Sequence, residues 1–238
     1  MSFKKKDNIR VNTLRTIAIS EADWNAAGRI FITRKMMKQA ESLNLLPPEH
    51  MGGRKNKKSI TGALTKRLVI DNSRLLRQPL AIISTDAANC YDRMVHKYVA
   101  LACKKWGISQ QVIMALLKPL NEARHYTRTA YGDSTVFFDE DNFQGAGQGN
   151  TGAAPYWTFV SLPMIEIMKE MNLQSEFTSA ISKRLIKLAL IAFVDNAELF
   201  IMNKSNSPEA IMKTAEIAIN VWREVLEVRC VLLNVHGR

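Results

Sequence analysis

The chain has 238 residues, 47% of them hydrophobic, enough to bury a sizeable core as one large domain or two small subdomains. Lys and Arg number 33 against 22 Asp and Glu, and the resulting net charge of +11 points to a polyanionic partner. No apolar run approaches the ~20 residues of a membrane span, and the basic start Met1-Ser2-Phe3-Lys4-Lys5-Lys6 lacks an apolar segment of signal-peptide length, so an intracellular protein with no membrane partner is expected.

Residues 17–46 read mostly as helix, with Trp24, Ala27, Phe31 and residues 36–40 roughly on one face. Ser20-Glu21-Ala22-Asp23 has the look of a capping box at its start, and Pro47-Pro48 stops it. Next comes a glycine-opened basic loop, Met51-Gly52-Gly53-Arg54-Lys55-Asn56-Lys57-Lys58-Ser59, leading into a helix over 60–76. Between residues 51 and 80 lie Arg54, Lys55, Lys57, Lys58, Lys66, Arg67, Arg74 and Arg77 against the single acid Asp71. Such a run is either a solvated helix face or a phosphate-binding surface; a basic loop at a helix N-terminus suits the second, because unpaired amides and cationic side chains point the same way.

Residues 80–85 form a strand candidate that ends in Asp86. Beyond it Tyr91, Met94, Val95, Tyr98, Val99 and Ala102 recur at helical spacing, which puts Asp86 at a strand-to-helix junction. A helix over 110–122 follows, then a hairpin within 128–138 around Tyr131-Gly132-Asp133. Residues 144–152 hold four of the eleven glycines and must be a sharply bent loop, and 155–171 continue as a helix in which Tyr156 and Trp157 are expected in the core. The apolar run 188–194 ends abruptly at Asp195-Asn196, and a second run, 199–202, returns: a buried hairpin with an acid at its tip. Ser207-Pro208-Glu209 starts an amphipathic helix to about residue 227, and 228–235 read as a final strand. This order predicts an α+β fold, a small antiparallel sheet with helices packed on one face. Cys90, Cys103 and Cys230 are scattered without metal-ligand spacing and fit a reduced compartment.

Asp195 taken alone is either turn chemistry or a metal ligand. If its hairpin and the strand ending in Asp86 are neighbours, the two carboxylates meet at one sheet edge, where a pair about 4 Å apart repels by roughly 4 kcal/mol at an effective dielectric near 20 and needs a cation or proton between them. Mg²⁺, with Mn²⁺ as its substitute, suits two carboxylates completed by water and substrate phosphates.

Three segments carry a family resemblance. Thr85-Asp86-Ala87-Ala88-Asn89-Cys90-Tyr91-Asp92 resembles the first palm motif of reverse transcriptases, a metal-binding Asp followed five positions later by an aromatic residue and then by another Asp. Phe193-Val194-Asp195-Asn196 resembles their aromatic-x-Asp-Asp hairpin, and Gly147-Gln148-Gly149 through Pro155 their Gln-Gly…Pro motif. The anchors stand in the family's order, 62 and 47 residues apart. The basic loop also looks like the fingers segment of retroelement reverse transcriptases of the non-LTR type.

The resemblance implies template-directed addition of deoxynucleotides to a primer 3′-OH by two-metal phosphoryl transfer, with an RNA template, a DNA primer and deoxynucleoside triphosphates as partners. It implies Asp86, Asp195 and Asn196 as the catalytic set, Asp86 and Asp195 holding Mg²⁺. Arg54, Lys55, Ala87, Tyr91, Gln148 and Gly149 would bind nucleotide, and Lys57, Lys58, Lys66 and Arg67 nucleic acid. Tyr91, where the family sets a bulky ring against a ribose 2′-hydroxyl, and Gln148-Gly149 favour a DNA product. Residues 1–78 would be an N-terminal arm and basic fingers segment and 79–238 the palm, with a fingers insertion within about 106–143; no thumb follows, so another domain or subunit is expected to supply it.

This sequence departs from the family at three places. Asn196 replaces the second Asp, Pro155 lies seven rather than six positions after Gln148, and Arg229-Cys230 stand where a glycine pair is usual. They leave a second reading open, a catalytically degenerate remnant that retains only nucleic-acid binding.

Overall fold

The computed structural model describes residues 2–4, 14–87, 89–137, 145–203, 205 and 207–229. In chain order, a short antiparallel pair, β1 (Ser2–Lys4) and β2 (Leu14–Thr16), precedes α1 (Ala22–Gly28). A π-helical stretch, Arg29–Met36, joins α1 to α2 (Met37–Ser42). Next come α3 (Ser59–Leu76) and β3 (Ala81–Asp86), then α4 (His96–Lys105) and α5 (Gln110–Asn121). A small hairpin, β4 (Arg128–Thr129) with β5 (Gly132–Asp133), leads to α6 (Ala153–Glu170). Four strands follow, β6 (Ser175–Thr178), β7 (Leu185–Leu188), β8 (Leu190–Phe193) and β9 (Asn196–Ile201), before α7 (Pro208–Arg229). No described helix is long and apolar enough to cross a membrane.

Most expected elements are present, with informative differences. The helix start near Ser20 has no side-chain cap; Asn25 instead donates its amide to the Ser20 carbonyl. The helix expected directly after Asp86 begins only at His96, because Asn89 takes a left-handed conformation and residues Cys90–Asp92 make a 3₁₀ turn. The apolar run 188–194 is two elements rather than one strand: β7 pairs with β6 in a separate hairpin, and β8 enters the central sheet. The expected final strand does not start at 228, since residues 228–229 finish α7; its remainder, 230–235, and the turn motif around Cys230 lie outside the described residues.

The central sheet has the order β3-β9-β8, all antiparallel, and residues 49–51 widen it by running parallel beside β8. There Ala192 N–H donates to the Glu49 carbonyl at 2.9 Å and Met51 N–H to the Ala192 carbonyl at 2.7 Å. One face of the sheet, through Leu190, Ala192, Ala197, Leu199 and Ile201, joins the main core made with α4, α5, α6 and α7. The other face is covered too: Ile191 and Phe200 pack with Val69 of α3, Phe177 of β6 and Met51. Helices on a single face was therefore the wrong expectation. β8 and β9 are apolar on successive residues because both of their faces are buried, where a one-sided sheet would alternate.

Candidate functional site

The register of the central sheet decides where the acidic residues stand. β3 and β9 pair from Ala81↔Ile201 through Asp86↔Asn196, so Asp86 and Asn196 face each other across the strands, with Cβ atoms about 5 Å apart and side chains on one face. Asp195 occupies the two-residue turn between Phe193 and Asn196, and its carbonyl accepts from Ala87 N–H at 3.0 Å. The two strands are neighbours, and Asp86 and Asp195 come to the same sheet end. Asp86 is exposed and Asp195 half-buried. Asn196 Nδ2 donates to Asp195 Oδ1 at 3.3 Å, so the amide orients the carboxylate where a second carboxylate would repel it.

The turn is strained and held by two contacts from elsewhere in the chain. Val194 has φ of 57°, a left-handed conformation that β-branched residues rarely adopt and that this kind of turn gives to glycine. Trp157 Nε1 donates to the Val194 carbonyl at 2.6 Å from α6, which fixes the strained peptide. Gly52 lies against the same turn so closely that a Cβ there would stand 2.2 Å from the Val194 nitrogen. Sequence reasoning missed both contacts; the paired glycines at the mouth of the basic loop were the only local signal of a close approach.

Tyr91 lies on the 3₁₀ turn rather than on a helix. Burial raises its phenol to about 12, and the charges of Cys90 and Asp195 add to the effect, which places Tyr91 within the electrostatic reach of Asp195. Burial also raises the Asp92 carboxyl, partly offset by a hydrogen bond from the Gln148 backbone N–H. The Gln-Gly loop is strapped to this turn by further contacts: Ala146 N–H donates to the Tyr91 carbonyl at 2.7 Å and Gly145 N–H to Met94 at 2.8 Å. His96 Nε2 lies 2.5 Å from the Gly145 carbonyl. Gly145 (φ 89°) touches the Tyr91-Asp92 backbone, where a Cβ would stand 2.5 Å from the Tyr91 carbonyl. On its other side the loop meets the N-terminal segment, Ala18 N–H donating to the Gln148 carbonyl at 2.8 Å. Hydrogen bonds thus tie Asp86-Ala87 to Asp195-Asn196, and the Tyr91-Asp92 turn to the Gln-Gly loop.

The basic residues divide. The parallel bridge of His50 to Ala192 brings the loop 51–58 beside the hairpin turn, and Gly53 packs against Ala154 and Thr158 of α6. Lys55 and Lys58 are exposed there and Lys57 is half-buried. Arg54, expected to bind nucleotide, is engaged as a clamp within the fold. Its side chain is 7% exposed, with Nε and Nη2 each 2.7 Å from the two Glu41 carboxylate oxygens and Nη1 donating to the Pro47 and His50 carbonyls. That guanidinium holds the Glu41 carboxyl below its usual range. Lys66 and Arg67 are also paired internally, with Glu198 at 2.5 Å and Asp71 at 2.9 Å.

Among the described residues no three His, Cys, Asp or Glu side chains gather into a closed metal cage. The donors at the sheet end, Asp86, Asp195 and Asn196, are all oxygen ligands on accessible positions. Two carboxylates and an amide oxygen could hold a hard cation only with an open shell, completed by water or phosphate oxygens.

No protein-family model and no curated protein matches the chain. Its fold matches apo telomerase from Candida tropicalis truncated from the C-terminal domain, with a TM-score of 0.54 and 16% identity over 91% of this chain and 45% of that one. Telomerase from the same organism in complex with a TWJ fragment of telomeric RNA matches with a TM-score of 0.54 and 14% identity, over 87% of this chain and 33% of that one. The fold is therefore like that of these telomerases. At these identities the likeness concerns the fold alone, and the chain spans less than half the length of either telomerase.

Proposed function

We propose that this chain is a nucleotide-polymerising domain of the reverse transcriptase type, extending a DNA primer along an RNA template. One observation carries the reading: the strand register sets Asp86 opposite Asn196, next to Asp195, at the sheet end where Tyr91 and the Gln148-Gly149 loop also arrive. The RNA-bound state of one fold neighbour supports nucleic acid as the partner. Asp86 and Asp195 would hold Mg²⁺, with Asn196 completing the oxygen set. When bound, the cation supplies charge neutralisation at the triphosphate and a more acidic primer hydroxyl.

The chain's own residues then position the reactants. Tyr91, protonated at any working pH, offers an uncharged ring beside Asp195 that crowds a 2′-hydroxyl and selects deoxynucleotides. Gln148-Gly149, fixed by Asp92 and Ala18, backs the incoming base pair. Lys55, Lys57 and Lys58 attract the phosphate backbone without reading sequence.

Asn196 motivates the second reading, a domain that binds nucleic acid without polymerising, because one carboxylate of the usual pair is an amide. Primer extension on an RNA template with Mg²⁺ or Mn²⁺ separates the two. Extension by the wild type that Asp195→Ala abolishes is expected, and Asn196→Asp tests whether the second carboxylate adds rate. If neither wild type nor Asn196→Asp extends a primer while salt-sensitive RNA binding persists, the polymerase reading fails and the binding reading stands.

A further inference from the structure

Helix α3 carries an apolar stripe on the side turned away from the protein. Val69 and Ser73 face the core, whereas Ile60, Leu64, Leu68 and Leu75 are 68%, 56%, 57% and 70% exposed. At 100° per residue these four fall within an arc of about 80°, opposite the buried side, along a helix roughly 27 Å long. Single exposed leucines are ordinary, but four within one arc form an apolar face, interrupted between Leu68 and Leu75 by Asp71, which pairs with Arg67.

The β6–β7 hairpin lies along one flank. Ala180 N–H donates to Asn72 Oδ1 at 2.9 Å, and the hairpin adds Ile181 and Leu185, 92% and 61% exposed, beside the stripe. The surround is basic: Arg74 and Arg77 at the C-terminal end of the stripe, and Lys183 and Arg184 on the hairpin tip, all exposed. Its acids are already paired, Asp71 with Arg67 at 2.9 Å and Glu176 with Lys187 at 2.7 Å.

From this juxtaposition we propose that the α3 stripe and the adjoining hairpin form a docking surface for an acidic amphipathic helix of a partner protein, separate from the sheet-end site. An apolar helix face fills the strip between α3 and the hairpin, and its acidic flanks meet the basic rim. Two other occupants fit less well. Phosphates of a nucleic acid would satisfy the rim but gain nothing from four aliphatic side chains. A second copy pairing α3 antiparallel would set Ile60 against Leu75 and thereby Lys58 against Arg77, like charge on like.

The test uses a fluorescein-labelled synthetic helix of about 20 residues, leucines on one face and glutamates on the other, with versions that replace Glu by Lys or Leu by Ser as controls. Fluorescence anisotropy should show saturable binding of the acidic amphipathic peptide alone. Leu64→Asn/Leu68→Asn should weaken it about ten-fold or more, and Arg74→Glu/Arg77→Glu should do the same while admitting the lysine version. Both pairs are exposed, so circular dichroism and melting temperature should stay unchanged. Absence of binding, or binding indifferent to the leucine changes, overturns the proposal. So does sedimentation showing a dimer that Leu64→Asn/Leu68→Asn dissociates, or RNA affinity that the same variant abolishes, since each assigns the face to another occupant. Primer extension is unaffected by these variants, so the proposal and the polymerase reading fail separately.

Discussion

Replacing Arg54 by alanine separates a fold clamp from a phosphate ligand. The guanidinium makes four hydrogen bonds of 2.6–2.8 Å, two to Glu41 and one each to the Pro47 and His50 carbonyls. A hydrogen bond to a charged group contributes about 1.5–3 kcal/mol net, and breaking a buried ion pair costs about 3–5 kcal/mol because the surviving partner is stranded. Glu41 is 32% exposed and takes water when the pair breaks, and the four bonds are not additive, so a loss of about 3 kcal/mol is expected. For a chain of this size that is a fall in melting temperature of roughly 6–12 °C. Urea denaturation should show a lower midpoint at unchanged slope, and Glu41→Gln in the Arg54→Ala background should cost little more. RNA affinity, measured well below the melting temperature, should keep its salt dependence. An unchanged midpoint together with weakened RNA or nucleotide binding would refute the reasoning and restore Arg54 as a ligand contact.

Other expectations follow from the same geometry. His50 is fully buried with neither ring nitrogen hydrogen-bonded among the described residues, and burial, with Arg54 nearby, lowers it to about 4. The unfolded chain therefore binds the proton first, so stability is whole above pH ~6.5 and falls as pH drops toward 4, by up to about 3 kcal/mol; denaturation of His50→Gln across that range should show the dependence flattened. Gly52→Ala would drive a methyl against the Val194 nitrogen and should cost about 1–3 kcal/mol or displace the hairpin turn, visible as a lower melting temperature and altered tryptophan fluorescence from Trp157. Mutating Lys55, Lys57 and Lys58 together to alanine should reduce the slope of log affinity for single-stranded RNA against log salt by about 2, whereas Lys66→Ala/Arg67→Ala, whose charges pair with Glu198 and Asp71, should leave it nearly unchanged. Equal effects from the two sets would count against the division of the basic residues.

What was legible in the sequence is local. Apolar patterning marks the strand ending in Asp86, the hairpin at Asp195 and helix α7, since burial repeats with the pitch of each element. Tyr156 and Trp157 are core residues, as their place on an apolar helix suggested. The break at residue 189 was invisible, because Leu188 of the exposed β7 runs straight into the buried apolar β8 with no turn residue between them. So was the bridge of His50 to Ala192, which has no pattern of its own and forms only because the free edge of β8 accepts it.

The chemistry divides on the same line. Sequence by itself determined which residues carry charge and that two strands end in carboxylates, because those properties belong to single residues and their neighbours. Only the tertiary structure decided that Asp86 stands opposite Asn196, that the Asn196 amide points at Asp195, and that Arg54 is bound to Glu41 while Lys55 and Lys58 remain exposed. Pairing and burial depend on residues far apart in the chain, and a basic side chain reads the same in sequence whether its partner is a phosphate or a carboxylate of its own fold.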